Sequence, residues 1–380
     1  MTHPRLKGKP GNILLGALLL LLGTALFQYV RARGQHDFMP FYLGGKLAAS
    51  GQIAHIYEKP AYQALIAQLR SQRERMSPYD ANYFIRPAYE AFFYIPFTWL
   101  PYRHASTLAL LANIGLLATL VWKLPLWFGV PAANRLAARF GLTVFYPFLW
   151  SIALGQDTLL LTLLVAYSLS RTVVRHDGKA GVLLGLGAWK PNLTGLLPFA
   201  LMTARRWKMA LYALATGSLL LAVSFVLVGA HGFRQWIELV QSPSSDITPS
   251  VMGNIRALNI HFGPAVAIPA LLVTIVCCYF VARHGSPHDK VSAALIAALL
   301  ISPHTYLQDY SLASVVVLSG NNRLARMVLL IPWPWLYPRK DLLPMIILLL
   351  SYLVYLGTKH AFRRQPAFRM ESAIPELAGN

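Results

Sequence analysis

The sequence predicts an all-α, polytopic integral membrane protein with about twelve transmembrane or partly spanning helices. Of its 380 residues 56% are apolar and 13% are charged, and the mean hydropathy is +0.48. Soluble domains carry about 25% charged residues. Several apolar runs are close in length to a membrane-spanning α-helix, which needs about 20 residues. These observations exclude an ordinary cytosolic enzyme and a disordered or collagen-like chain.

The charge distribution indicates how the chain is oriented. Its 34 Lys and Arg against 14 Asp and Glu give a formal charge of +20, which in a soluble protein would indicate nucleic-acid binding. Here the basic residues form short clusters between apolar runs, as cytoplasmic loops do, so we expect no nucleic-acid partner. Arg5, Lys7 and Lys9 precede an apolar run from Ile13 to Tyr29 with no small-residue cleavage site after it. We therefore expect an uncleaved first span, a multi-pass protein of the cytoplasmic (inner) membrane and both termini in the cytoplasm.

Two longer segments are expected outside, within a single membrane domain over residues 1–360 that a cytoplasmic tail, 361–380, follows. The first outside segment is 31–104 and the second is 230–262. In the first, Phe41–Gly51 and Tyr57–Arg70 read as amphipathic helices lying on the membrane, and the aromatic, proline-broken tract Arg86–Pro101 reads as an interfacial element. The acidic residues expected on solvated faces of this segment are Glu58, Glu74, Asp80 and Glu90.

Three apolar hairpins are too short to span the membrane. An arm of about 14 residues reaches roughly 21 Å at 1.5 Å per residue, against a hydrocarbon thickness of about 30 Å. The hairpin tips should therefore end below the outer surface, where polar non-helical backbone is tolerated only beside a cavity or inside protein. These tips are Gly155–Asp157, Trp189–Asn192 and Ser302–Tyr310.

Charged and polar side chains at these tips indicate a shared site. Asp157, Lys190, His304 and Asp309 would be costly facing lipid, but not grouped around one polar cavity. Asp309 is expected to orient His304 or to cap the helix that follows it. Asp37 comes a few residues after the first span and is expected at the outer interface, overlooking the same cavity. This pattern favours a site for something polar or anionic, reached from the outer half of the membrane.

The chain resembles glycosyltransferase family 87, the polyprenyl-phosphate-mannose-dependent α-1,2-mannosyltransferase-like proteins, which have the C-type glycosyltransferase fold. The resemblance depends on the order and spacing of several loose motifs between about residue 35 and residue 312. They are HDFMPFYLGGKLAASGQIAHIY, FFYIPFTWLP, LWSIALGQDTLLLTLL, AGVLLGLGAWKPNLTGLLPFAL followed by RRW, SVMGNIRAL and ISPHTYLQDYSL.

The resemblance implies an inverting transfer of a hexose, mannose first among the candidates, from a polyprenyl-phosphate sugar to a glycan or glycolipid acceptor. Asp37, at the family's position for the catalytic carboxylate, would be the general base. From the residues themselves, the candidates for binding the donor phosphate are Lys190, Arg256 and His304. Gln156, Asn254 and Tyr306 are candidate sugar or acceptor contacts.

We expect neither a metal nor a cofactor, since no histidine–carboxylate cluster has ligand spacing and basic side chains can hold a phosphate unaided. Membrane lipids are the other expected partner. A transporter or a lipid-carrier flippase with a polar site at the membrane midplane remains the alternative. Against the transporter, hydropathy shows no inverted repeat.

Overall fold

The computed structural model describes residues 9–71, 83–170, 177–241, 254–319 and 343–362. Within these ranges the regular secondary structure is helical throughout. The helices are α1 (Lys9–Arg33), α2 (Phe38–Ala49), α3 (Lys59–Ser71), α4 (Ala91–Tyr94), α5 (Tyr102–Trp127), α6 (Ala132–Thr143), α7 (Tyr146–Leu154), α8 (Thr158–Ser170), α9 (Asp177–Leu186), α10 (Pro191–Thr194), α11 (Leu197–Thr203), α12 (Trp207–Gln241), α13 (Ile255–Phe262), α14 (Pro264–His284), α15 (Pro287–Ile301), α16 (Ala313–Ser319) and α17 (Leu343–Ala361).

Six helical segments in the described ranges are long and apolar enough to cross a membrane. They are Gly11–Arg31, Tyr102–Trp127, Ala132–Leu154, Trp207–Gln241, Pro264–His284 and Leu343–Ala361. The all-helical membrane class is confirmed, whereas the total of about twelve transmembrane or partly spanning helices stays a prediction. The basic residues Arg5 and Lys7 and the tail beyond Phe362 lie outside the described residues.

Helix α12 is interrupted at Gly229. Its 35 residues would extend about 52 Å at 1.5 Å per residue, well beyond a hydrocarbon core of about 30 Å. Gly229 has φ 68° and ψ −179°, a backbone conformation essentially confined to glycine. The break separates a membrane-length first part from a second part that ends at Gln241.

The segment 31–104 corrects two sequence predictions. Helix α2 begins at Phe38, and nine of its 12 residues are buried, so it is a core helix and not an amphipathic one. Glu90, predicted on a solvated face, is 1% exposed. Both are buried because this segment folds around its own aromatic core, which includes Phe38, Phe41, Tyr42, Tyr62, Phe84 and Tyr102. Helix α3 does expose one side, with Tyr62 and Leu69 buried on the other; Glu74 and Asp80 lie outside the described residues.

The second and third hairpins have short helical arms, as predicted, whereas the first arm of the first hairpin ends in α7, which belongs to the membrane-length segment Ala132–Leu154. The first tip separates α7 and α8, of nine and 13 residues. The second follows the ten-residue α9, and the third follows the 15-residue α15. Helix α9 packs directly on the backbone of α12, since a Cβ atom on Gly185 would lie 2.6 Å from the Ala213 carbonyl oxygen. This close packing positions the second tip.

Candidate functional site

The three hairpin tips meet through direct polar contacts. Lys190 Nζ, in the second tip, donates to Asp309 Oδ1 of the third tip at 2.8 Å and to Thr158 Oγ1, beside the first tip, at 2.7 Å. Asn192 Nδ2 donates to Ser302 Oγ at 2.7 Å. The tips are therefore joined into one polar centre between short helices.

Asp37 is fixed against the first tip. Its backbone N–H donates to the Leu154 carbonyl oxygen at 2.9 Å, and its Oδ2 accepts from Gln156 Nε2 at 2.7 Å. Gly155 permits this approach because it has φ 76°, and a Cβ there would lie 2.7 Å from Phe38 Cβ. The Asp37 side chain is 16% exposed, so its carboxylate is held but still accessible.

The second oxygen of Asp37 also has a partner. His36 Nδ1 donates to Asp37 Oδ1 at 2.7 Å. An ionised carboxylate offers about four lone-pair positions, so two hydrogen bonds leave room for an incoming hydroxyl group.

Gln156 joins Asp37 to two cations. While its amide nitrogen donates to Asp37, its Oε1 accepts from Arg86 Nη2 at 3.2 Å and from Lys190 Nζ at 3.5 Å. Its amide group is thereby oriented, with the carbonyl oxygen toward positive charge. The structure places Gln156 beside the predicted base, as a group that positions the carboxylate.

Arg86 and Glu90 also belong to this centre, although neither is among the site residues predicted from the sequence. Arg86 Nη2 lies 3.5 Å from Asp157 Oδ1, and Arg86 Nε lies 4.0 Å from Glu90 Oε2. The signal available in the sequence was two opposite charges four residues apart inside an aromatic tract. Such a pair can lie on one face of a helical turn.

Lys190 is 2% exposed and has no ammonium hydrogen to spare. Its three acceptors are Thr158, Asp309 and Gln156, and Asp157 Oδ1 lies 3.7 Å from Nζ. The predicted contact between Lys190 and a donor phosphate would have to displace one of these acceptors. In this structure Lys190 holds the tips together.

The remaining predicted residues lie at the start of α13 and in the third tip. Asn254 is fully buried; its Oδ1 accepts from the Ala257 N–H at 2.9 Å and its Nδ2 donates to the Ser302 carbonyl at 2.7 Å. This corrects its predicted role as a sugar contact, because Asn254 caps α13 and ties it to the third tip. Arg256, in the first turn of α13, is exposed.

Tyr306 lies within electrostatic reach of Asp37 and Arg256. Burial, followed by the negative charges of Asp309 and Asp37, raises the pKa of the Tyr306 hydroxyl to about 12, while Arg256 opposes the shift. The hydroxyl group is therefore a neutral donor at physiological pH. Asp309 Oδ2 accepts from the Tyr306 N–H at 3.0 Å, so Asp309 caps the helical turn Leu307–Leu312, as predicted.

His304 is directed to a different partner. Its Nε2 donates to the Val240 carbonyl oxygen at 2.8 Å, which links the third tip to the end of α12. The predicted orientation of His304 by Asp309 is therefore not observed, since the Asp309 oxygens accept from Lys190 and Tyr306. Among the described residues, no group of three or more His, Cys, Asp and Glu side chains converges to hold a metal ion.

Comparison with known proteins identifies the family. The model of glycosyltransferase family 87 matches residues 84–303, which is more than half of the chain. That range contains Arg86, Gln156, Lys190 and Arg256, while Asp37 precedes it. No curated protein and no solved structure matches the chain. With its membrane-length helices, the chain therefore belongs to glycosyltransferase family 87 and is a membrane glycosyltransferase.

Proposed function

We propose that this protein is an inverting glycosyltransferase that takes a hexose, mannose first among the candidates, from a polyprenyl-phosphate sugar. The acceptor would be a hydroxyl group of a lipid-linked or cell-envelope glycan at the outer face of the cytoplasmic membrane. The observation that carries this proposal is the placement of the Asp37 carboxylate. It is partly exposed, is held by Gln156 at 2.7 Å, and is one side chain away from Arg86 and Lys190.

Asp37 would act as the general base. It would take the proton from the acceptor hydroxyl as that oxygen forms a bond to the anomeric carbon of the donor sugar. The bond between the anomeric carbon and the phosphate oxygen breaks on the opposite face, and its electron pair leaves with polyprenyl phosphate. One base suffices because the leaving group is already a stabilised anion, and the configuration at the anomeric carbon is inverted.

The phosphate requires a cation that is free to reach it. Arg256 is exposed, and the Tyr306 hydroxyl lies within electrostatic reach of both Arg256 and Asp37. A guanidinium can bind a phosphate through two parallel hydrogen bonds, and the phenol can donate a third. We assign the donor phosphate first to Arg256 and Tyr306. His304, which donates to the Val240 carbonyl oxygen, is a further candidate, and Lys190 would support the site by holding the hairpin tips together.

The test uses the purified protein in lipid vesicles with radiolabelled polyprenyl-phosphate mannose and an envelope lipid extract as the acceptor. Asp37→Asn should abolish transfer and leave binding of the carrier intact, whereas Glu58→Gln, an acidic residue away from the site, serves as the control. A normal rate with Asp37→Asn would show that another group is the base. If the native protein moves the carrier across vesicles and transfers no sugar, the flippase alternative replaces this proposal.

A further inference from the structure

Two buried carboxyl groups, those of Glu90 and Asp157, lie on either side of Arg86 in the polar centre. The side chains of Glu90 and Asp157 lie within hydrogen-bonding reach of each other, and both are paired with Arg86. Hydrogen bonding between two carboxyl groups requires a proton on one of them, since two ionised carboxylates only accept and two like charges at that separation repel strongly. The two side chains can therefore form a hydrogen bond only if one of the carboxyl groups is un-ionised.

The ordinary donors nearby do not satisfy these oxygens. Glu90 Oε2 and both Asp157 oxygens are buried without a hydrogen-bond donor among the described residues. Arg86 lies 3.5 Å from Asp157 Oδ1 and 4.0 Å from Glu90 Oε2, and Lys190 Nζ lies 3.7 Å from Asp157 Oδ1. These distances suit ion pairs and are too long for good hydrogen bonds. A proton shared by the two carboxyl groups gives the otherwise unpaired oxygens a donor.

The balance of charge gives the same answer. The buried ion frame consists of two cations and three carboxyl groups, which are Arg86 and Lys190 with Glu90, Asp157 and Asp309. With all three carboxyl groups ionised the frame would be negative, beside the further negative charge of Asp37. An anionic donor phosphate would then have to approach a doubly negative centre. With one proton the frame is neutral, and Asp37 alone carries unbalanced charge.

We propose that Glu90 holds this proton and donates it to Asp157 in a hydrogen bond, which makes Glu90 a positioning residue for Asp157, Arg86 and Lys190 in the polar centre. The proton belongs on Glu90 because Asp157 has two cations within 3.7 Å, whereas the ion pair of Glu90 is with Arg86 at 4.0 Å. The role in transfer rests on the proposed function; the protonation state does not.

The surroundings of Glu90 favour its neutral form. Burial, and next the charge of Asp157, raises the pKa of Glu90 well above the usual value, against the opposing effects of Arg86 and Lys190. The other titratable groups facing it are phenols: Tyr94 Oη donates to Glu90 Oε1 at 3.4 Å, and Tyr57 and Tyr89 interact with its charge. Phenols are neutral near pH 7 and do not stabilise an ionised Glu90.

The direct test is infrared spectroscopy of the full-length protein in lipid vesicles without donor. The wild type should show the C=O stretching band of a protonated carboxyl group at neutral pH, and Glu90→Gln should lose it. Absence of the band in the wild type, or its persistence in Glu90→Gln, would overturn the proposal. If Glu90→Gln fails to fold, Tyr94→Phe decides, because removal of its hydroxyl donor should shift the band, and an unshifted band would contradict the assignment.

Stability against pH supplies a second readout. Because folding raises the pKa of Glu90, its contribution to stability is complete below the pKa of an unfolded glutamate, about 4.3. It is lost as the pH rises through the folded-state value. The thermal midpoint of the wild type should therefore fall as the pH rises over this range, and that of Glu90→Gln should not. An identical pH profile in both proteins would refute the shared proton.

Activity then tests the positioning role. Glu90→Ala leaves Asp157 without its donor and should lower mannosyl transfer by about tenfold or more. Glu90→Gln, whose amide can still donate, should restore most of that loss. In the wild type the rate should fall at alkaline pH as Glu90 loses its proton, and Glu90→Gln should not show this fall. Equal losses in both variants would mean that Glu90 only fills space. Because the infrared and stability measurements contain no donor, a wrong assignment of the donor would leave their outcome unchanged.

Discussion

The amide nitrogen of Gln156 donates to Asp37 Oδ2 at 2.7 Å across 119 positions of the chain, and it couples the candidate base to the polar contacts of the hairpin tips. The opposite end of the same amide accepts from Arg86 and Lys190. The amide cannot reverse without placing its NH₂ group against two cations. The orientation of Asp37 is therefore set by charges that do not touch it.

Removing this coupling should slow transfer without unfolding the protein. Gln156→Ala frees the Asp37 carboxylate to rotate, and misplacement of a reacting group by about 1 Å can cost about 100-fold. We expect kcat to fall by about 10- to 100-fold, while the KM for the donor changes less. Steady-state kinetics with radiolabelled donor measures this, and Gln68→Ala on the exposed face of α3 is the control. An unchanged kcat would mean that Asp37 needs no such orientation.

Lys190 should matter more for stability than for donor binding. Lys190→Met leaves the Asp309 carboxylate buried without its cation, and breaking a buried ion pair from one side costs about 3–5 kcal/mol. We expect a clear drop in the thermal midpoint, which can be measured by tryptophan fluorescence. The double variant Lys190→Met with Asp309→Asn should recover part of the loss, since no unpaired charge remains. A fully additive double variant would contradict the pairing.

Gly155 should be intolerant of a side chain. Gly155→Ala combines a positive φ with a Cβ that would lie 2.7 Å from Phe38 Cβ, so we expect about 1–3 kcal/mol of destabilisation and reduced transfer. Gly129→Ala is the matched control, because Gly129 also has positive φ but has no atom within 4 Å of the added Cβ. Equal effects in the two variants would show that backbone strain alone matters and that the contact between the first tip and α2 does not.

Arg256 should contribute to donor binding and little to folding. Its side chain is exposed, so Arg256→Ala should keep the thermal midpoint of the wild type. Loss of a charge-assisted phosphate contact should raise the KM for polyprenyl-phosphate mannose by about tenfold. Arg234→Ala, an exposed arginine on α12 in the same predicted outer segment, should leave KM unchanged. Equal KM values in both variants would remove Arg256 from the donor site.

The sequence by itself determined the class of this protein, because hydropathy and the positions of basic clusters are local properties that govern how a chain inserts into a bilayer. It also predicted the short arms of the second and third hairpins, since helix length follows from residue count, but not the membrane-length segment Ala132–Leu154 that leads into the first tip. The family followed from short motifs in order. Asp37 and the tip residues could be selected because charge is costly in apolar surroundings.

Only the tertiary structure decided which of these residues touch. Lys190 forms a hydrogen bond with Asp309, 119 positions away in the chain. The side-chain amide of Asn254 caps α13 and donates to the Ser302 carbonyl oxygen. Glu90 is buried because an aromatic core closes around it, which no local pattern of charges reveals. Burial and hydrogen-bond partners are set by contacts between distant segments. A polar side chain in the sequence can therefore bind substrate, orient a neighbour or hold two helices together, and the packing around it selects among these roles.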